Sequence, residues 1–480
     1  MDFNSGGKRM NRKDCIDWKG LETYLSAEVV VCGGGSAGAF AAIAAAREGA
    51  DVLLVESQGY LGGSAVGALV MPYMTVRVPG EPRCSGLHNE LDNRIRAYHQ
   101  EKHIQNSFDP IIHGILLEQM CRESGVRILL HACVCGAKTE EGMSLGSPAS
   151  GKSKRICAIA VACKDGIRKI EGKIFIDGTG DGSLSVLAGA GFEAGNPKTG
   201  ANQPMSLRYF VGGVNKETLG RFLDSLGDPD NARSGKSGGG LFGCVVERRD
   251  SALKPIFLQA VAEGDLWEQS MAYWTMFEIP GRKDEVAFNN PEFFDLTDAC
   301  DPLQLTELQL RGRAFIYKEL AFYKKYFKGF ENAYISAISI VPGIRESRRI
   351  HTKYRLTAMD VLGQRKFKGC ISQCNYPVDV HGSAELFRED LPAGDPKKPW
   401  YEIPYDCLVG ADLENLLVAG RCIGADFVAQ SSIRIQICCH SMGEAAGIAA
   451  AMCSTKSLLP GQVSGEEVAE RMRERGADFV

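Results

Sequence analysis

The chain has no apolar run of membrane-spanning length and no surplus of either charge. Its 55 Lys and Arg stand against 59 Asp and Glu, a formal net charge of −4. The first absence excludes a spanning helix. The second removes the basic footprint needed to bind nucleic acid or an acidic membrane surface. The opening residues, MDFNSGGKRMNRKDCIDWKG, lack the apolar core and small-residue cleavage pattern of a secretory leader. No disulfide framework is legible. The 17 cysteines are odd in number and scattered, and Cys32, Cys157 and Cys163 sit inside apolar runs, as buried thiols do. No metal site is expected. In Cys133-x-Cys135, strand alternation puts both thiols on one face, which points to core packing. The expectation is a soluble, cytoplasmic protein whose 480 residues suffice for two or three domains.

What is present starts with residues 27–56, AEVVVCGGGSAGAFAAIAAAREGADVLLVE. A short Val-rich run reads as a buried parallel strand. Gly33, Gly35 and Gly38 follow as G-x-G-x-x-G, with Ser36 and Ala37 inside the turn. A run of Ala then reads as a helix that packs tightly on a sheet. Gly49 ends it, residues 51–55 form a second strand, and Glu56 closes that strand. In a dinucleotide fold, the first glycine allows a tight turn, the second lets the backbone approach a pyrophosphate, and the third lets the helix press on the strand. The helix N-terminus offers free N–H groups to phosphates. An acid at Glu56 suits an adenosine ribose and argues against a 2′-phosphate, so FAD or NAD is favoured over NADP.

Ser57 follows directly, and Gly62, Gly63 and Ser64 make a second close-approach loop where ligands bind in such folds. Residues 87–100 and 108–124 read as helices, the second with Ile111, Ile112, Ile115, Leu116 and Met120 at helical spacing. Residues 126–135 read as one strand, on which Val134 is expected at the cofactor. Residues 155–163 and 167–170 read as a hairpin. A further strand, 172–176, runs into Asp177, Gly178, Thr179, Gly180 and Asp181, a second expected contact with a long dinucleotide. Gly238, Gly240 and Gly243 repeat the glycine spacing, but no apolar strand precedes them. Gly235-Lys236-Ser237 fails as a P-loop because Asp230 holds the place of the first glycine. Residues 303–327 read as a long helix with the stripe Leu305, Leu308, Leu310, Ile316 and Leu320.

Arg345, Arg348 and Arg349 lie near Glu346 and His351. They read either as a clamp for a substrate carboxylate or as a structural Arg–Glu network. Asp379 and His381 fall two apart on an expected strand, where an acid can tune an imidazole for proton transfer.

The strings LLVESQGYLGG, FIDGTGDG, NQPMSLRYFVGG, VPGIRESRRI, YPVDVHG, YEIPYDCL and NLLVAGRCIGADFVAQSSIRIQICCHSMGEAAG run almost the length of the chain. On these motifs the sequence resembles the large family of FAD-dependent oxidoreductases with a glutathione-reductase-type Rossmann fold, in particular a bacterial branch whose substrates are mostly unassigned. The resemblance implies FAD as cofactor. It implies that Gly420, Arg421 and the following helix approach the flavin, that Asp426 reaches the ribityl chain, and that Arg434 lies near the ring. A helix expected to start near His440 would bring the N–H of Gly443 to the ring's pyrimidine carbonyl.

The expected fold class is α/β. A Rossmann-like FAD/NAD(P)-binding domain, with a parallel sheet and a small antiparallel insertion, spans 27–210 and 405–456. An α+β substrate or cap domain spans 211–404. Residues 1–26 form a tail and 457–480 a surface helix. The expected reaction is hydride transfer between a small organic substrate and the flavin. Arg434 would hold the substrate, His381 with Asp379 would move a proton, and Arg345 and Arg348 would be second anchors. The rivals are a reductase saturating an activated C=C bond and a non-redox FAD module. A pyridine-nucleotide disulfide reductase needs a second nucleotide motif and a C-x₄-C pair, and neither occurs. A small-molecule substrate and an electron acceptor of open identity are expected as partners, with no nucleic acid and no membrane; a homo-oligomer is compatible.

Overall fold

The computed structural model describes residues 16–100, 107–142, 154–233, 241–247, 249–381 and 396–480. The second glycine repeat lies partly outside them, since Gly238 and Gly240 fall in 234–240.

A seven-stranded mixed sheet organises the larger part of the chain. Its strands are β1 (Thr23–Cys32), β2 (Val52–Val55), β3 (Arg127–Leu129), β4 (Cys133–Glu141), β5 (Lys154–Cys163), β6 (Gly166–Asp177) and β7 (Leu416–Val418). The order is β3-β2-β1-β6-β5-β4, with β7 also on β6. The strands β3, β2, β1, β6 and β7 run parallel, and β4 and β5 pair antiparallel. All four residues of β2 are buried, as the Val/Leu run requires for a strand covered on both faces. The hairpin's first arm is β5, and its second arm and the strand after it are one twelve-residue strand, β6. Its first half pairs with β5. Its last residues, Phe175 to Asp177, pair with β7. Asn415 makes that exchange possible. Its side-chain amide donates to the carbonyls of Ile156 and Lys173, both at 2.8 Å, and its oxygen accepts from the Ile156 N–H at 2.9 Å.

The helix α1 (Gly38–Arg47) lies between this sheet and α6 (Gln436–Lys456). Two helices, α2 (Gly86–His99) and α3 (Pro110–Glu123), pack together nearby. The apolar stripe expected on α3 is only partly its buried face, with Met120 buried and Ile112 and Leu116 half-buried. Ile111 and Ile115 are exposed, while His113, Gly114, Leu117, Met120 and Cys121 are buried. The strand expected over 126–135 is broken at His131, whose φ is +56°, so β3 and β4 are separate. Cys133 is thereby exposed and Cys135 half-buried, not core. The helix α7 (Gly465–Glu474), expected at the surface, docks on α6 through Val468, Ala469 and Met472, with Ser464 as its N-cap.

A second core lies against a six-stranded sheet that runs Ala232–Arg233, Phe242–Val246, Tyr273–Glu278, Val286–Phe288, Tyr209–Gly212 and Tyr334–Ile338. It draws on residues from Met205 to Ile344. Residues 350–403, read from sequence as part of the cap, place Ile350, Leu356, Ile371, Trp400 and Ile403 in the first core. Across the second sheet lies α4 (Pro302–Tyr326). Leu308 and Ile316 of its stripe are buried, whereas Leu310 is exposed. A polar knot crosses this core. The Tyr209 hydroxyl donates to Glu319 at 2.7 Å, Asn290 Nδ2 donates to the same oxygen at 2.8 Å, and Trp274 Nε1 donates to the Tyr323 hydroxyl at 2.8 Å.

Burial pushes the Glu319 carboxyl up to about 7 against those hydrogen bonds. A raised carboxyl contributes stability that is complete below its ordinary value and is lost as pH rises through about 7. The loss is roughly 3 kcal/mol. Melting temperatures from pH 5 to 8 will therefore fall more steeply for the wild type than for Glu319→Gln. Parallel curves for the two proteins would remove Glu319 from this role.

Candidate functional site

The parallel strands end together, and glycines let their ends meet. Gly33, with φ +93°, donates its N–H to Val55 O at 2.7 Å, and Gly178 donates to Cys32 O at 2.8 Å. A Cβ on Gly38 would strike the Gly33 carbonyl oxygen, and one on Gly33 would lie 2.7 Å from the Gly178 carbonyl carbon. Gly35 differs. A Cβ there would meet nothing nearer than the Gly63 Cα at 3.8 Å. The N-terminus of α1 has no side-chain cap. Open N–H groups therefore face an open cradle. Glu56, at the end of β2, accepts from Gly34 N at 2.6 Å, Gln58 N at 2.7 Å and the Ser57 hydroxyl at 3.0 Å.

This cradle opens into a cavity of about 390 Å³. Of the residues singled out from sequence, Gly33, Gly35, Ser36, Ala37, Glu56, Ser57, Gly63, Ser64 and Val134 line it. Gly178, Thr179, Gly180, Asp181, Gly420, Arg421, Arg345 and Arg434 do so too. The second core adds Ser206, Arg208 and the segment 341–344; Gln58, Tyr60 and Gln436 also line the wall. All of them stand in the strings that carry the family resemblance, but no chemical spacing within those strings singles them out.

Several expected contacts serve the fold instead. Asp177 is wholly buried and folds the turn beneath the cavity. It accepts from the N–H and hydroxyl of Thr179 at 3.1 and 2.7 Å, and from those of Ser185 at 2.8 and 2.7 Å. Gly38 and Gly62 lie off the cavity wall; Gly62 N donates to Gly34 O at 2.8 Å. Asp426 caps α5 (Phe427–Ile433), accepting from Ala429 N at 2.8 Å, and also accepts from Ala358 N at 2.7 Å. Helix α6 starts at Gln436, not near His440, so Gly443 lies seven residues beyond that first residue. A Cβ on Gly443 would collide with the Ala37 carbonyl oxygen, so its task is helix packing.

A chain of charges runs behind the cavity. Arg434 Nη2 donates to Asp379 Oδ2 at 2.9 Å and to its carbonyl at 3.0 Å. His381 lies between two carboxylates, with Nε2 3.5 Å from Asp379 Oδ1 and Nδ1 3.0 Å from Glu292 Oε2. Glu292 in turn pairs with Arg345. Burial pushes Asp379 up, but the His381 hydrogen bond and the Arg434 and Arg345 guanidinium groups hold it well below the usual carboxylate range. Asp379 and His381 do not share a strand. The strand Cys370–Cys374 ends before them, and neither lines the cavity. Arg348 is also off the wall, donating to Asp181 O at 3.3 Å and lying over Phe192. Arg349 pairs with buried Glu346, the structural alternative for that pair. Arg421 Nη2 and the Ser347 hydroxyl both donate to Asp181 Oδ1, at 2.7 and 2.6 Å.

The family model described as "FAD dependent oxidoreductase" matches residues 28–472. The chain belongs to that family. It is an FAD-dependent oxidoreductase with a Rossmann-type flavoprotein fold. The site fits that cofactor: a side-chain-free cradle at an uncapped helix N-terminus, an acid at the end of β2, and a cavity continuing past them. No curated protein sequence matches the chain. Solved structures similar to it include p-nitrophenol 4-monooxygenase from Pseudomonas putida DLL-E4, at 10% identity, 94% of this chain, 85% of that chain and a TM-score of 0.46. A flavoprotein/dehydrogenase from Cytophaga hutchinsonii matches at 14% identity over 94% and 83%, with a TM-score of 0.44. A geranylgeranyl bacteriochlorophyll reductase-like protein from Thermoplasma acidophilum matches at 13% over 94% and 83%, with a TM-score of 0.42. Among the described residues no helix is long and apolar enough to cross a membrane.

Breaking a buried ion pair on one side leaves an uncompensated charge, whereas replacing both partners with apolar groups is close to neutral. Glu292→Leu will therefore lower stability by about 3 kcal/mol, and adding Arg345→Met will restore most of it. Thermal melts of the single and double variants check this; strictly additive losses would show that the pair carries no coupling.

Proposed function

We propose that the cavity is the FAD site and that the enzyme transfers a hydride between a small organic substrate and that cofactor. The observation carrying this reading is the cradle at Gly35, open on its cavity side while the flanking glycines are packed shut. The N–H groups at the start of α1 would hold the pyrophosphate. Glu56 would hold the adenosine ribose. Gly63, Ser64, Val134 and the segment Gly178–Asp181 would line the cofactor, with Gly420 and Arg421 beside it. FAD, when bound, supplies a two-electron carrier.

The chain's own residues bind and orient the substrate. Arg434 reaches the cavity and is fixed from behind by Asp379, so its guanidinium is aimed before substrate arrives. His381 is gripped by Glu292 and Asp379 away from the cavity wall, which suits holding Arg434 in place better than moving a proton to substrate. The second core, residues 205–344, acts as the cap that closes the substrate end, through Ser206, Arg208 and the 341–344 segment.

Visible spectra of the purified protein test the reading. Flavin bands are expected, and anaerobic bleaching by an organic donor would mark a dehydrogenase. Bands that bleach only with dithionite and return on adding an unsaturated acid would mark the reverse reaction. A protein that stays colourless after incubation with FAD would overturn the assignment. A sharper test is Gly35→Ala. The free protein has room for the methyl group and should melt as the wild type does, while FAD affinity falls about tenfold or more, the cost of one displaced contact near 1.4 kcal/mol. Unchanged FAD affinity would move the pyrophosphate elsewhere.

A further inference from the structure

Four guanidinium groups line the cavity, those of Arg208, Arg345, Arg421 and Arg434. Three are neutralised in place, Arg345 by Glu292, Arg421 by Asp181 and Arg434 by Asp379. Arg208 is not. Its Nη1 donates to the Met71 carbonyl at 3.1 Å, and its Nε is buried without an acceptor. Among the described residues no carboxylate pairs with it. Its side chain is half-buried and opens to the cavity. Four guanidinium groups set against three partner carboxylates leave the one positive charge of Arg208.

We propose that Arg208 is the anion-binding residue of the substrate site and that the substrate carries a carboxylate. This rests on the cavity being shared by FAD and substrate. A guanidinium keeps its proton in a folded protein, so a half-buried one without a counter-ion is a standing demand for an anion. Burial, with Arg345 and Arg434 beside it, presses its pKa down to about 9, the direction expected of a cation held among cations. A single carboxylate neutralises the site; a phosphate dianion would overshoot it. The planar fork of donors matches two carboxylate oxygens. Ser206, on the same wall, offers a hydroxyl beside the anion.

The test uses the FAD-loaded protein and difference spectra of its visible bands. The probes are acetate, succinate, fumarate and benzoate, each set against its neutral primary amide. At least one acid should perturb the bands saturably while its amide does not. Arg208→Gln should weaken that acid about 10- to 100-fold with FAD content unchanged, and Arg208→Lys should recover part of the loss. Acids and amides binding alike, or no acid shifting the bands, would overturn the proposal without involving any variant. So would an Arg208→Gln protein that binds the acid as tightly as the wild type. Failure to take up FAD at all would overturn the cofactor assignment and this inference with it, and the band intensity at the start separates that case from the others.

Discussion

Helix α1 is approached on two sides more closely than any side chain would permit, and the cavity follows from that closeness. On one side Gly38 presses against the carbonyl of Gly33, where β1 ends. On the other, Gly443 and Gly447 of α6 sit where a Cβ would strike the carbonyl oxygens of Ala37 and Ala41. Between these contacts α1 is buried from Gly38 to Ala45 and carries no polar side chain along that stretch. Its one large residue, Phe40, stacks on His440 at 4.0 Å between ring centroids. A helix gripped this closely has no freedom to tilt. Its first N–H groups therefore stay aimed at one spot, the cradle that Gly35 leaves open.

Charge is distributed unevenly around that helix. On the α6 side burial favours the uncharged forms of the polar residues. His88, His113 and His440 form a buried group with Tyr73, and His440 Nδ1 lies 3.0 Å from His88 Nδ1. Burial presses His88 down to about 4 and His113 to about 3, and pushes Glu444 up to about 7. On the cap side stand two charge pairs, Arg434 with Asp379 and Arg345 with Glu292, with the His381 ring between the two carboxylates. Beyond α1 there is thus a buried group of side chains whose uncharged forms are favoured, and behind the cap side of the cavity a pair of pre-aimed ion pairs. Fixed dipoles and charges of this kind stabilise without reorganising.

What could be read from the sequence was what is local. Gly33, Gly35, Gly38 and Glu56 lie within one strand–turn–helix–strand unit, so their spacing carries their geometry. The helices at 86–99, 110–123 and 302–326 were legible for the same reason. Reading failed where a distant partner decides. Helical spacing set Ile111 and Ile115 in one stripe with Met120, but α3 packs through His113, Gly114, Leu117, Met120 and Cys121 and leaves both isoleucines exposed. Helix α6 hides Gln436, His440, Ser441 and Glu444, so its polar residues do not mark a solvent face, and its start was misjudged by a turn. His131 breaks an apolar run because of its positive φ, which composition does not reveal. Arg208 sits between two short strands with no neighbour in sequence to flag it; only the cavity gives it meaning.

The seam between the two cores shows why ion pairs, rather than more apolar contact, join them. Arg345 and Glu292 are both almost fully buried, and Arg345 also donates to the Pro204 carbonyl at 2.7 Å. Apolar residues of equal volume would hold the cores together about as strongly, since desolvation offsets most of a buried pair's attraction. They would not fix direction, because dispersion contacts tolerate sliding that a charge pair with directed hydrogen bonds does not. Through Glu292 and His381 the same pair also determines where Asp379 stands, and so where Arg434 points. Direction is what the cavity needs. Its floor is set by the glycines around α1, its roof by residues 341–345 and Arg208 of the second core. A shift between floor and roof would part Arg208 from Arg434 and scatter the single positive charge that the roof presents.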